Sequence, residues 1–267
     1  MADGQSLVNR LFSLEGKTAL VTGASGGIGG ALAIAVAEAG AYVALSGTNM
    51  ENLQETASAI EAKGGKYIIL PADLRDVEAC KKLVLDAKEQ LGSIDILWNN
   101  AGMNRRKRVE EFTLDDYETI MDVNLRSILF LSQAAHAVMK EQGGGKIINI
   151  GSMTSYIGLA NVGIYGMTKS ALAQFTRTMA IEWARDNIQV NCLAPGFIKT
   201  PLTAQGQWAD PHISQWILDR VPARRPGTPE DLVGTALWLS SASSDFVTGQ
   251  IVAVDGGFLA GGSWLKD

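Results

Sequence analysis

Tyr165 and Lys169, four residues apart, form a pair that acid–base chemistry could use. In an α-helix this separation places two side chains about 40° apart around the axis and about 6 Å apart along it, so they share one face. A tyrosine has an ordinary pKa of about 10, and a fixed positive charge nearby lowers it by favouring the phenolate. A tyrosine tuned in this way can act as a general acid or base. An isolated pair of this kind is also typical of a solvated helix face, so the rest of the chain must decide between the two interpretations.

A glycine-rich turn joins a predicted strand over 17–22 to a predicted helix over 31–39. Its spacing is Gly23-x-x-x-Gly27-x-Gly29. Glycines allow the main chain to approach a pyrophosphate closely, and the unpaired N–H groups at a helix N-terminus attract its negative charge. Strand, turn and helix in this order predict the start of a dinucleotide-binding unit.

The elements that must position these residues alternate between strands and helices. Further strands are predicted over 41–46, 66–70, 94–98, 146–150, 188–193 and 250–254, and further helices over 51–63, 77–90, 116–140, 170–183 and 229–240. This alternation predicts one doubly wound, Rossmann-like α/β domain over residues 1–267, with a parallel sheet flanked by helices. Residues 199–220 contain no clear strand, and a long excursion at the ligand end of a sheet predicts a substrate lid.

Composition narrows the class of protein. Of the 267 residues, 46% are hydrophobic and 19% charged, which is typical of a soluble globular protein, and the net charge of −5 argues against nucleic-acid binding.

Cys80 and Cys192 are expected to be reduced thiols in a cytoplasmic protein, and no His or Cys cluster indicates a metal site. His136 and His212 are expected to be packing or surface residues. Neither a signal peptide nor a membrane-spanning segment is expected.

The second predicted strand ends in Ser-Gly-Thr-Asn at residues 46–49, where NAD-binding sites usually carry a carboxylate that holds the ribose. A carboxylate would repel a 2′-phosphate, so its absence permits NADP. No Arg or Lys lies between residues 41 and 50, and Thr48 and Asn49 are the candidates for hydrogen bonds to that phosphate. The sequence favours NADP and leaves NAD possible.

A run of four positive charges at residues 105–108 follows the loop after the fourth predicted strand. Such a run is typical of a solvated loop. The alternative hypothesis is that Arg105 or Arg106 binds a substrate carboxylate.

The chain resembles the short-chain dehydrogenase/reductases over nearly its whole length. The motifs that carry the resemblance are Thr22-Gly-Ala-Ser-Gly-Gly-Ile-Gly29, Asp73-Leu74, Asn99-Asn-Ala-Gly102, Asn124, Ser152, Tyr165-x-x-x-Lys169, and Pro195-Gly196 with Thr200. The resemblance implies a seven-stranded parallel sheet, a nicotinamide cofactor and a homotetramer.

The resemblance also implies a role for each motif residue. Tyr165 is expected to exchange a proton with the substrate oxygen, Ser152 to hydrogen-bond that oxygen, and Lys169 to lower the pKa of Tyr165 and bind the nicotinamide ribose. Asn124 is expected to hold a water that links Lys169 to solvent. The residues expected along the cofactor are Gly23, Ser25, Gly27, Ile28, Gly29, Thr48, Asn49, Asp73, Leu74, Asn100, Ala101, Gly102, Tyr165, Lys169, Pro195, Gly196, Ile198 and Thr200.

Within that family, residues 11–17, 99–106, 145–153 and 254–259 are similar to the sugar-acid dehydrogenases of the gluconate 5-dehydrogenase and 2-deoxygluconate 3-dehydrogenase group. This similarity implies an alcohol–ketone interconversion on a sugar acid, with the substrate at Arg105, Arg106, Ser152 and Tyr165. One alternative is a 3-oxoacyl-ACP reductase, which would need a basic docking surface near the lid at Arg220, Arg224 and Arg225. The other is a non-catalytic cofactor-binding regulator, which predicts a broken catalytic set.

Overall fold

The computed structural model describes residues 6–262 of the chain. Its strands are β1 (Thr18–Thr22), β2 (Tyr42–Ser46), β3 (Lys66–Ile69), β4 (Ile96–Asn99), β5 (Gly145–Ile150), β6 (Ile188–Pro195) and β7 (Ile251–Val254). All pair in parallel, in the order β3-β2-β1-β4-β5-β6-β7. The predicted seven-stranded, doubly wound α/β fold is confirmed.

Helices flank this sheet on both faces, and the described residues form ten α-helices in all. They are α1 (Leu7–Phe12), α2 (Gly27–Glu38), α3 (Met50–Ala62), α4 (Val77–Leu91), α5 (Leu114–Met121), α6 (Ser127–Glu141), α7 (Gly163–Trp183), α8 (Pro201–Ala204), α9 (Pro211–Arg220) and α10 (Glu230–Ser240). One core cluster joins the sheet to α2, α3 and α10, and a second joins it to α4, α6 and α7. Within β1, Ala19 and Val21 belong to the first cluster and Leu20 to the second, because successive side chains of a strand point to opposite faces.

Two helical segments differ from the sequence-based prediction. The segment predicted as one helix over 116–140 is divided into α5 and α6 by a π-helical turn at Asp122–Arg126, which contains Asn124. Such turns are frequent at functional sites, and a hydrophobic pattern does not distinguish them from regular helix. In addition, α7 begins at Gly163, seven residues before the predicted span of 170–183, so Tyr165 lies in its first turn and shares the helix with Lys169 as their spacing predicts.

The predicted lid contains two helices, α8 and α9. Of these, α9 contributes Ile217 to a small apolar cluster that also includes Met153, Phe197 and Val221. Movement of the lid over the site stays a prediction. Within residues 6–262, no helix has the length and apolar character needed to cross a membrane.

Candidate active site

The carboxyl ends of β1 and β4 border the crevice in which open α/β sheets bind ligands, because the order of the strands reverses between them. Thr22, the last residue of β1, donates its hydroxyl to Trp98 O (3.0 Å) and accepts the amides of Asn100 (3.1 Å) and Ala101 (3.2 Å). The Asn100 side chain donates to the carbonyls of Thr22 and Gly23, each at 3.0 Å. The loop after β4 therefore fixes the start of the glycine turn.

The glycine turn has a conformation and packing that require glycine. Gly23 has φ +64°, and a Cβ added there would lie 2.8 Å from Ala101 Cα. A Cβ at Gly29 would lie 2.1 Å from Gly23 O. Gly26 precedes α2 without a side-chain cap, and the space around its Cβ position is open within 4 Å. The uncapped N-terminus of this helix fits a pyrophosphate, since its first N–H groups have no side-chain partner.

The end of β2, where the 2′-phosphate is predicted to lie, carries no charged side chain over residues 46–50. Thr48 is exposed, and Asn49 caps α3 by accepting a main-chain N–H at 3.0 Å, while its amide NH₂ has no hydrogen-bond partner among the described residues. A Cβ at Gly47 would lie 3.2 Å from Ser25 Oγ, so the glycine turn and the end of β2 are in contact. The Ser46 hydroxyl is buried without a hydrogen-bond partner among the described residues, a feature that the sequence does not indicate.

Other predicted cofactor residues divide into exposed and packed side chains. The Asp73 carboxylate is held by Arg75 through hydrogen bonds of 3.0 and 3.1 Å from Nε, and these bonds hold its pKa below the ordinary value. The side chains of Leu74 and Ile198 are buried in the core, and Ile28 packs against it. Leu74 and Ile198 would therefore meet a ligand through their main chain.

The segment that follows β6 returns to the glycine turn. Gly196, directly after Pro195, donates its amide to Val254 O at 3.0 Å, and a Cβ there would lie 2.6 Å from Asp255 Cα. Thr200 caps α8, and its Cβ lies 3.8 Å from the Cβ position of Gly27. The start of the lid thus lies beside the predicted pyrophosphate site.

The first turns of α7 place Tyr165 and Lys169 together. The Lys169 ammonium lies 5.6 Å from the centre of the Tyr165 ring and donates to Ile150 O at 2.6 Å. Lys169 is only 2% exposed, and burial lowers its pKa to about 8. A Cβ at Gly102 would lie 3.7 Å from its Nζ, so the loop after β4 forms one wall of the site.

Burial raises the pKa of the Tyr165 phenol, whereas a hydrogen bond from Ser152 and the charge of Arg106 lower it. Ser152 Oγ also accepts the amide of Thr154 at 3.1 Å, which directs its proton away from that amide. The pKa of Tyr165 is raised overall, because the phenolate loses its hydration in this pocket. The charge of Lys169 alone would lower that pKa. Burial also favours the neutral amine of Lys169, so the protonated fraction of this side chain near neutral pH is smaller than for an exposed lysine.

Asn124 is fully buried in the π-helical turn and holds the loop after β4. Its Oδ1 accepts the Met103 amide at 2.8 Å, and its Nδ2 donates to Met103 O at 2.8 Å and to Thr168 Oγ1 at 3.3 Å. A Cβ at Gly102 would lie 3.5 Å from Asn124 Oδ1. Among the described residues, no hydrogen bond joins the side chains of Asn124 and Lys169, and the water-mediated link stays a prediction.

The structure separates the two candidate arginines. Arg105 forms an ion pair with Asp115 at 2.5 Å and with Asp116 at 3.0 Å, so its charge is neutralised at the start of α5. Arg106 instead donates to Gln207 Oε1 at 2.7 Å and is close enough for its charge to act on the Tyr165 phenol. Of the two arginines, Arg106 is thus the one that acts on the phenol, and its binding of a substrate carboxylate stays a prediction. Gln207 is not among the predicted site residues, because no local pattern in the sequence indicates which lid residue turns inward.

The histidines and cysteines have the structural roles that the sequence predicts. His136 stacks on Trp183 with ring centres 4.6 Å apart and bonds Asp186 at 2.8 Å, and His212 is exposed on α9. Cys80 and Cys192 are buried, unpaired thiols, and burial raises the pKa of each to about 11.

Comparison with known proteins finds matches over nearly the full chain. A family model described as Enoyl-(Acyl carrier protein) reductase matches residues 23–259. The 2-dehydro-3-deoxy-D-gluconate 5-dehydrogenase of Dickeya dadantii is 43% identical over 95% of this chain and 100% of its own. The gluconate 5-dehydrogenase of Gluconobacter oxydans is 43% identical over 92% of this chain and 96% of its own. The crystal structure of a gluconate 5-dehydrogenase from Burkholderia cenocepacia, in complex with NADP and tartrate, is 37% identical and superimposes with a TM-score of 0.90, covering 95% of this chain and 99% of that one.

Proposed function

The chain belongs to the short-chain dehydrogenase/reductase family, and from that membership we propose that it is an NADP-dependent oxidoreductase that interconverts a secondary alcohol and a ketone on a sugar acid. Two relatives that match it over more than nine-tenths of its length are named as dehydrogenases of gluconate and of 2-dehydro-3-deoxy-D-gluconate. The related enzyme from Burkholderia cenocepacia was solved with NADP and with tartrate, which is itself a hydroxylated dicarboxylic acid.

The observation that carries the proposal is that Arg106 contacts the lid and lies within electrostatic range of Tyr165. Its guanidinium donates to Gln207 of the lid, and its positive charge favours the Tyr165 phenolate. A guanidinium recognises a carboxylate with two parallel N–H groups. A sugar acid can therefore present its carboxylate to Arg106 and a carbinol or keto oxygen to Tyr165 and Ser152.

The same residues disfavour the acyl-thioester alternative. A 3-oxoacyl thioester carries no carboxylate for Arg106, and docking of an acidic carrier protein needs available positive charges near the lid. Arg225 is paired with Asp231 at 2.6 Å, and Arg220 stacks over the Trp216 ring at 4.2 Å. These contacts weaken the proposed docking surface without removing it, so the thioester belongs in the substrate panel.

The proposed cofactor fits the crevice between β1 and β4. The uncapped start of α2 suits the pyrophosphate, the uncharged end of β2 suits a 2′-phosphate, and the space beside Tyr165 and Lys169 suits the nicotinamide ribose. When bound, the nicotinamide supplies the hydride acceptor or donor. The chain positions it and moves the proton. NADP is the proposed form, with NAD as the alternative.

The proposed proton chemistry rests on three side chains. In the oxidative direction Tyr165 accepts the alcohol proton as the carbonyl forms, and in the reductive direction it returns that proton to the oxygen. Ser152 stabilises the same oxygen by a hydrogen bond, as in an oxyanion site. Lys169, with a pKa near 8, gains or loses its own charge close to neutral pH and so sets how readily Tyr165 ionises. Asn124 holds the adjoining loop and a bridging water.

A cytoplasmic homotetramer is the proposed assembly. Apolar side chains such as Met167 and Ile181, which is 79% exposed, lie on the outer face of α7, and a subunit contact would cover them. Unpaired Cys80 and Cys192 fit a reducing compartment. Equilibrium sedimentation measures the assembly: a monomer at micromolar concentration contradicts the proposal.

The test of the proposed function is a set of initial rates, measured from the absorbance of the reduced nicotinamide. NADPH and NADH are each combined with 5-ketogluconate, other keto sugar acids and an acetoacetyl thioester. Reduction of a keto sugar acid with the thioester inert supports the proposal, and the ratio of the NADPH and NADH rates identifies the cofactor. Turnover of the thioester alone would assign the chain to the acyl reductases.

A further inference from the structure

A hydrogen bond connects the lid to the proposed carboxylate site. Arg106 lies in the loop after β4 and Gln207 lies between α8 and α9, and the guanidinium donates to Gln207 Oε1 at 2.7 Å. Gln207 is 8% exposed in a segment whose neighbours Gln205 and Gly206 are exposed. The glutamine therefore turns inward from the lid, and its amide oxygen satisfies a guanidinium N–H.

The amide oxygen of a glutamine resembles one oxygen of a carboxylate in shape and as an acceptor, but it carries no charge. A guanidinium bond to a carboxylate is charge-assisted on both sides and stronger than its bond to an amide. An acid that reaches Arg106 can therefore displace Gln207, whereas a neutral molecule of the same size has much less advantage over the amide.

We propose that Gln207 is a specificity-determining residue, whose amide oxygen occupies at Arg106 the acceptor position that the substrate carboxylate takes, so that acid substrates displace it and neutral analogues do not. This inference rests on the proposed sugar-acid function. It explains why the position suits glutamine: a glutamate would form a permanent ion pair with Arg106 and compete with every acid.

Two unpaired buried groups adjoin this contact along the chain. Asn104 Oδ1, an acceptor, and Trp208 Nε1, a donor, are both buried without a hydrogen-bond partner among the described residues. Buried polar groups are rarely left unpaired, because their lost hydration is not replaced. Asn104 is two residues before Arg106, and Trp208 directly follows Gln207. A polyhydroxy chain that reached these two groups would supply the donor and the acceptor that they lack.

The test compares Gln207→Glu with Gln205→Glu, which places the same charge on the exposed part of the lid. KM and kcat are measured for 5-ketogluconate and for its uncharged amide. For Gln207→Glu we expect KM for the acid to rise about tenfold or more, because the new carboxylate competes at Arg106, with kcat within about twofold. KM for the amide should change much less, and Gln205→Glu should leave both values near wild type. A purely structural role would raise both KM values or lower kcat.

Gln207→Ala separates displacement from direct binding. Removal of the competing amide should leave KM for the acid unchanged or lower. A rise of about fivefold or more would make Gln207 a substrate ligand and overturn the displacement model. Wild-type turnover is measured first. Absence of keto-acid turnover overturns both the proposed function and this inference, whereas normal wild-type turnover with an unaffected Gln207→Glu variant overturns this inference alone.

Discussion

The ammonium of Lys169 lies 5.6 Å from the centre of the Tyr165 ring and is itself held by the Ile150 carbonyl at 2.6 Å. The four-residue spacing in the sequence predicts this shared face. Burial adds what the spacing does not show, since it lowers the pKa of Lys169 to about 8 and raises that of Tyr165. Burial at this site therefore destabilises the charged form of each side chain, and Ser152 and Arg106 contribute to stabilising the phenolate.

Replacement of Tyr165 by Phe should lower kcat by about 10³-fold, because it removes the proposed acid/base and leaves the ring. The Kd for NADPH, measured by quenching of tryptophan fluorescence, should stay within about twofold. Tyr117→Phe, at an exposed position of α5, is the matched control. Substantial turnover by the Tyr165→Phe variant would show that another group moves the proton.

Lys169 should make stability depend on pH in a predictable direction. Its pKa is about 8 in the folded chain and 10.5 when unperturbed, so between these values the unfolded state binds more protons and stability rises with pH. At about 1.4 kcal/mol per pKa unit, the full effect is about 3 kcal/mol. Below pH 8 the buried ammonium is destabilising.

The measurement is the free energy of unfolding by urea across that pH range, for wild type and Lys169→Met. The difference between the two proteins cancels the titration of other groups, and wild type should gain stability relative to the variant as the pH rises. Parallel curves would mean that Lys169 keeps an ordinary pKa in the folded protein.

The strands could be predicted from the sequence because each is a short apolar run bounded by turn residues, and parallel strands covered on both faces need such runs. The exact start of α7 could not be predicted, although the spacing of Tyr165 and Lys169 places residue 165 inside the helix. Val162 precedes it without a side-chain cap, and Gly166 weakens the helical pattern around Tyr165. The π-helical turn at Asn124 also has no sequence signal of its own.

The parts of the candidate site formed by residues close in the sequence could be predicted, and the contacts between residues far apart in the sequence could not. The glycine turn and the Tyr165–Lys169 pair each lie within a few residues. The contact between Arg106 and Gln207 joins side chains 101 residues apart in the sequence, and only the folded chain distinguishes Arg106 from Arg105. The direction of the Tyr165 pKa likewise depends on burial, which spacing does not give.

Thr48→Asp should reduce the preference for NADPH over NADH by about tenfold or more, because a carboxylate at the end of β2 repels a 2′-phosphate and can hold the ribose hydroxyls. The ratio of kcat/KM for the two cofactors measures this preference. Gln54→Glu, on the exposed side of α3, adds the same charge farther along the helix and should leave the ratio unchanged. An unchanged ratio in Thr48→Asp would place the 2′-phosphate elsewhere.

Arg106→Ala should lower kcat/KM for keto sugar acids by about 10–100-fold, since a charge-assisted hydrogen bond contributes about 1.5–3 kcal/mol. The loss should fall mainly on KM, and the uncharged amide of the same acid should lose much less. Arg105→Ala is the matched comparison, because Asp115 and Asp116 already neutralise that guanidinium. Its effect on KM should be clearly smaller. Equal losses in the two variants, or an equal loss for acid and amide, would mean that Arg106 shapes the site without binding the carboxylate.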